Sequence, residues 1–159
     1  MKFLIGNKVA HLKKELSENQ EEELILQYLS KRGGQVRKVP QTGYYDSAKK
    51  TFRKQVSTHI VNGVSDISYL ENGNKFVFEV KRKSKHDYIK RHLFDIMKSC
   101  GIGLNKSRKA IFDQAVYIEA TEKNGGFGGF VSSIEDVIKI LNRAPSTGKC
   151  PKGIEGETI

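Results

Sequence analysis

The sequence predicts an α/β (α+β) chain in which one mixed β-sheet is flanked by helices. Three observations predict it. Helical and strand periodicities alternate along the chain, helix, strand, hairpin, helices, strand, helix. A tight-turn dipeptide, Asn72-Gly73, separates two runs of strand character. Helix-start signals precede the first and last apolar-periodic segments, at 17–20 and 132–135. At 159 residues the chain is of single-domain size and long enough for a real core. Expected boundaries are a helical extension over 1–16, a domain over 17–143 and a loose tail over 144–159.

Taken in order, Ser17-Glu18-Asn19-Gln20 reads as a capping box opening a helix through EEELILQYLSKR, closed by Gly33-Gly34. Leu24, Ile25, Tyr28 and Leu29 supply its apolar stripe. QVRKV reads as a strand ended by Pro40, and the segment 47–60 reads as either a basic loop or a short helix. Residues 64–82 form the hairpin. HDYIKRHLFDIMKSC and SRKAIFDQAVYIEATEK are helical in pattern, the second stopped by Gly125-Gly126. GFGGFVS gives a short strand, and Ser132-Ser133-Ile134-Glu135 a second capping box before IEDVIKILNR.

Composition narrows the function classes. The formal charge is +10, from 28 Lys and Arg against 18 Asp and Glu, which points to an acidic partner; the bland alternative is a solvated basic surface. No apolar run reaches membrane-spanning length, and the opening MKFLIGNKVAHLKK does not read as a signal peptide. A cytoplasmic setting is the expectation. Cys100 and Cys150 lack CxxC spacing, so neither a disulfide framework nor a zinc site is indicated. His11, His59, His86 and His92 show no metal-ligand spacing and are expected on the surface or facing nucleic acid. GGFGGF lacks the lysine and Ser/Thr of a phosphate-binding loop, Thr147-Gly148-Lys149 has no strand ahead of it, and no nucleophilic triad stands out.

The hairpin carries the chemistry. With Asn72 and Gly73 as loop residues, Asp66 falls across from Glu79, Ile67 across from Phe78 and Tyr69 across from Phe76. One face then holds Ile67, Tyr69, Phe76, Phe78 and Val80; the other holds Asp66, Ser68, Val77, Glu79 and Lys81. Opposed carboxylates repel unless something positive compensates. Lys81 alone can do so, as in an ordinary hairpin. A divalent cation can also do so, and two carboxylates with a backbone carbonyl and waters suit magnesium. Gln114 lies one helical turn from both Ile111 and Ile118, within an apolar stripe, so it needs a hydrogen-bond partner whether in a core or in a site.

The basic tracts KRKSKHDYIKRH and SAKKTFRKQ suit phosphate contacts or a solvated face, with Tyr44, Tyr45 and Tyr88 nearby for stacking.

GVSD at 63–66, EVK at 79–81, the helix of Gln114 and then GGFGGFVSSIEDVIKIL together resemble the virus-type replication-repair nuclease (VRR-NUC) domain of the PD-(D/E)xK superfamily. The resemblance spans about residues 17–141. It implies a restriction-endonuclease-like fold and a magnesium-dependent DNA endonuclease, with manganese able to substitute. It implies Asp66 and Glu79 as metal-binding carboxylates, the Val80 carbonyl as a further ligand, Lys81 as catalytic lysine and Gln114 lining the site. A first-helix acid joins them, Glu18 by one count and Glu22 by the other. A branched substrate such as a Holliday junction, a homodimer and a role in replication, recombination or repair follow by the same resemblance. For nucleic-acid contacts the candidates are Arg37, Lys49, Lys50, Arg53, Lys83, Lys85, Lys90, Arg91, Lys106 and Arg108. The chain departs from the pattern in a basic helical insertion at about 83–109 and in RKVPQTG, where the family carries Arg-x-Asn-x-Gly. The competing expectation is a non-catalytic nucleic-acid-binding module on a nuclease-like fold.

Overall fold

Strand pairing builds the molecule outward from the hairpin. In the structure, a computed structural model describing residues 14–39, 44–53 and 63–145, strands β4 (Ile67–Glu71) and β5 (Asn74–Val80) pair antiparallel around Asn72 and Gly73. Those two residues have φ of 49° and 76°, the pair of positive values that a type I′ turn requires. The register is the one read from the sequence: Ile67 opposite Phe78 and Tyr69 opposite Phe76. β1 (Gln35–Lys38) adds antiparallel to β4, and β6 (Phe127–Val131) adds parallel to β5. The result is a four-stranded mixed sheet of order β1-β4-β5-β6.

Helices cover both faces of this sheet. Ile67, Tyr69, Phe76, Phe78 and Val80 pack on Ile25 and Leu29 of α1 (Glu18–Arg32) and on Val137, Ile140 and Leu141 of α4 (Ile134–Leu141). A second apolar cluster joins Ile89 and Ile96 of α2 (Lys83–Lys98) to Ile111 of α3 (Lys106–Lys123), with Phe130 of β6 against it. Each such fully buried side chain stabilises the fold by roughly 1.5–3 kcal/mol. The described residues thus form a single α+β domain of one main mixed sheet and four helices. Among the described residues no helix is long and apolar enough to cross a membrane.

Several local expectations are corrected. Of the segment 47–60, expected as a basic loop or a short helix, residues 47–50 form a turn and β3 (Thr51–Arg53) pairs with β2 (Tyr44–Asp46) in a small separate hairpin, with Lys50 at φ 49° in its turn; 54–60 lie outside the described residues. Leu24 is exposed, so the inner stripe of α1 is Glu22, Ile25 and Leu29. Residues 14–17 are not helical, and the rest of the 1–16 extension lies outside the described residues, as does the tail beyond 145. α2 starts three residues earlier than His86. The last helix is capped one residue later than expected, by Ser133 on the Asp136 N–H, while the Asp136 carboxylate reaches back to Ser132. His86 is buried at 3% exposure rather than on the surface, its Nδ1 2.9 Å from Ser132 Oγ. At the outer side of β6, Arg143 Nη1 donates to the Gly128 carbonyl at 3.3 Å.

Candidate functional site

The Asp66, Glu79 and Lys81 face of β5 is roofed by α3. Glu79 is fully buried beneath it. Its Oε1 accepts from Lys81 Nζ at 2.7 Å and from the Gln114 amide on α3, whereas its Oε2 is buried with no hydrogen-bond partner. Burial dominates the electrostatics. It pushes the Glu79 carboxyl up to about 8, against the pull of the Lys81 ammonium and with the neighbouring Asp66 adding to the rise. Gln114 therefore has the partner that its place in an apolar stripe demanded. Gly63 makes that approach possible: at φ +76° it lies so near α3 that an added Cβ would stand 2.4–2.6 Å from the backbone of Asp113 and Gln114.

Asp66 sits just before β4 rather than within the ladder. Its backbone carbonyl accepts from the Val39 N–H, and its Oδ2 accepts from the Val80 N–H at 2.9 Å, replacing a ladder bond at the strand end. Burial raises the Asp66 carboxyl, offset in part by the Val80 N–H and by Lys81. In a β-ladder the N–H and C=O of one residue point to the same neighbour, so the Val80 carbonyl lies on the Asp66 side. Lys81 is nearly as buried as Glu79, its N–H fixed to the Val131 carbonyl and its Nζ 3.9 Å from Glu18.

Both first-helix candidates come to this place by different contacts. Glu18 is half exposed and faces Lys81; Glu22 is buried and faces Lys38, whose Nζ is 2.6 Å from Glu22 Oε1. That contact compensates charge without supplying a directed donor, because Oε1 makes no well-formed hydrogen bond. Lys38 is a residue that the sequence reading missed. Its signal is the pairing of β1 with β4, which sets Lys38 opposite Ile67 and beside Asp66, and no local pattern announces that pairing.

Among the described residues no three His, Cys, Asp or Glu side chains stand together as a ready metal cage. The donor chemistry nevertheless fits a hard divalent cation. Two buried carboxylate oxygens, Glu79 Oε2 and Glu22 Oε1, lack hydrogen bonds, and both belong to acids that act electrostatically on Asp66 or are acted on by it. Lys81 and Lys38 stand where they supply positive charge to these acids.

The proposed phosphate contacts divide between elements. Lys85 reaches Ser107 Oγ at 3.4 Å, and Arg108 Nε donates to Tyr88 Oη at 2.9 Å, so the starts of α2 and α3 form one basic rim. Tyr88 packs on His92 with ring centroids 4.4 Å apart. Lys83 is held by Asp87 at 2.8 Å, and Arg91 Nε donates to the Asp87 carbonyl, while Lys90 and Lys106 are exposed. Arg37 lies on β1, and Lys49 and Lys50 in the β2–β3 turn, away from this helical pair in sequence and element. The Arg53 side chain lies outside the described residues, as do His11, His59 and Cys150.

No family model, curated protein or solved structure matches the chain.

Proposed function

We propose that this protein is a metal-dependent DNA endonuclease of the PD-(D/E)xK type, with the VRR-NUC variant of a restriction-endonuclease-like fold. The observation that carries the reading is Glu79: a buried carboxylate with one oxygen held by Lys81 and Gln114, the other unpartnered, and Asp66 beside it. A purely structural hairpin has no use for such a group, because burying an incompletely bonded carboxylate costs stability.

In this reading Asp66, Glu79 and the Val80 carbonyl hold Mg2+ or Mn2+, with Glu22 or Glu18 completing the set. The ion supplies Lewis acidity toward a phosphoryl oxygen and lowers the pKa of a bound water. Gln114 fixes one oxygen of Glu79 and leaves the other for the site. Lys81 offsets the negative charge that develops on the phosphate and orients the attacking water. The rim of Lys85, Lys90, Arg91, Lys106 and Arg108 tracks the DNA backbone, and Arg37, Lys49 and Lys50 add phosphate contacts from other elements. Branched DNA, a homodimer and a cytoplasmic role in replication, recombination or repair belong to the same proposal.

The test is cleavage of labelled four-way junction, flap, linear duplex and single-stranded DNA, in Mg2+, Mn2+ or EDTA. Asp66→Asn and Lys81→Ala are expected to cut at least about 10²-fold more slowly than wild type, and EDTA to stop cutting altogether. Cutting by both variants at the wild-type rate would falsify the assignment. Tight binding without cutting in either metal would make the protein a nucleic-acid-binding module instead.

A further inference from the structure

Lys38 brings a charged side chain to the acidic pocket from the sheet's edge. It ends edge strand β1, opposite Ile67 and next to Asp66. Its side chain is 63% exposed, but its ammonium lies 2.6 Å from the buried carboxylate of Glu22. Among the described residues no other cation ion-pairs with Glu22. A buried carboxylate loses much of its solvation and needs a counter-charge. A lysine on a flexible, solvent-facing stem provides one that is easily withdrawn. Glu22, whose Oε1 has the Lys38 ammonium against it, also acts electrostatically on Asp66.

A divalent ion engaging Glu22 would supply the charge that Lys38 now supplies and would repel the ammonium at close range. The side chain of Lys38 is already largely exposed, and its chain neighbour Arg37 is exposed too. We propose that Lys38 is a two-position lysine: it neutralises Glu22 while the acidic pocket is free of metal, and turns outward to a DNA phosphate when a divalent cation takes its place. The inference rests on the nuclease reading for its metal and its substrate. It adds a coupling that the reading alone does not contain. Metal strengthens DNA binding by releasing a cation to the phosphate, and by linkage DNA strengthens metal binding to the same degree.

Two measurements test it on the intact chain, after thermal melts show that the variants fold. Mn2+ alone is titrated by electron paramagnetic resonance into wild type, Lys38→Met, Lys38→Arg and Glu22→Gln. Lys38→Met removes a competitor, so it is expected to bind Mn2+ about two- to fivefold more tightly, the scale of one exposed ion pair. Lys38→Arg should stay near wild type, and Glu22→Gln should bind Mn2+ more weakly. Duplex DNA affinity is then compared in Ca2+ and in EDTA, and the gain given by Ca2+ should shrink in Lys38→Met. Mn2+ affinity unchanged or weakened in Lys38→Met overturns the two-position lysine and leaves the nuclease reading intact. Wild type that binds no Mn2+ overturns both. Wild type that binds Mn2+ with the expected Lys38→Met effect, but cuts nothing, removes the nuclease and keeps the lysine.

Discussion

Ser132, His86 and Asp136 meet beneath the sheet edge in a group resembling a proton relay, but their geometry points elsewhere. Ser132 Oγ at 2.9 Å and Asp136 Oδ2 at 3.4 Å both face the same ring nitrogen, Nδ1, and Ser132 Oγ itself bonds Asp136. A nucleophile and an orienting acid belong on opposite nitrogens. The group therefore fastens the first turn of α2 to the start of α4. Burial lowers the His86 pKa from its ordinary value, Asp136 opposes that shift, and Lys90 and Lys83 add to it. A depressed folded pKa means that the unfolded chain takes up the proton first as pH falls. Stability contributed by neutral His86 is thus complete above about 6.5 and is lost as pH falls below it. Urea midpoints at pH 7.5 and 5.5 check this: wild type is expected to lose more stability over that interval than His86→Gln. His86 had no local signature, because its partners lie 46 and 50 positions away in the chain. The same holds for the burial of Glu79. Its identity and its register were readable from Asn72-Gly73, whereas the helix that roofs it comes from a separate stretch of sequence.

Elements that announce themselves by strong local chemistry emerged where the sequence set them. The β4–β5 hairpin, the Ser17 capping box and the long α3 all rest on a turn dipeptide, a capping residue or many turns of periodicity. The β2–β3 hairpin did not, because two three-residue strands joined through a non-glycine left-handed residue, Lys50, carry almost no pattern. What joins the elements into a site is narrower still. Gly63 lets the chain before β4 pass against α3 at the level of Gln114. Gly63→Ala forces a side chain onto positive φ and into backbone that cannot yield. It is expected to destabilise the protein by about 1–3 kcal/mol from strain alone. Denaturant midpoints measure that cost. Cleavage in the same variant should fall further than its folded fraction explains, since Gln114 is displaced from Glu79.

At the scale of the whole molecule, the charge of +10 is divided unevenly between cations in close ion pairs and cations outside them. Lys83 is bound to Asp87, while Lys90 and Lys106 of the same helical pair make no ion pair among the described residues. Duplex affinity should therefore fall linearly in log–log form with salt. Lys90→Ala and Lys106→Ala should each reduce that slope by about one, and Lys83→Ala should leave it nearly unchanged. Filter binding across a salt series decides this. Composition points to an acidic partner but not to which lysines are occupied, because ion pairing depends on helix phase and on neighbours brought in by folding. The outer strands bear a different consequence. In cross-β fibrils an unpaired border strand templates the next chain through its bare carbonyls and amides. Here the Gly128 carbonyl on one border is taken by Arg143, and the other border carries Arg37 and Lys38, like charges that a second copy would have to bring side by side. Growth by strand addition is discouraged at both ends of this sheet.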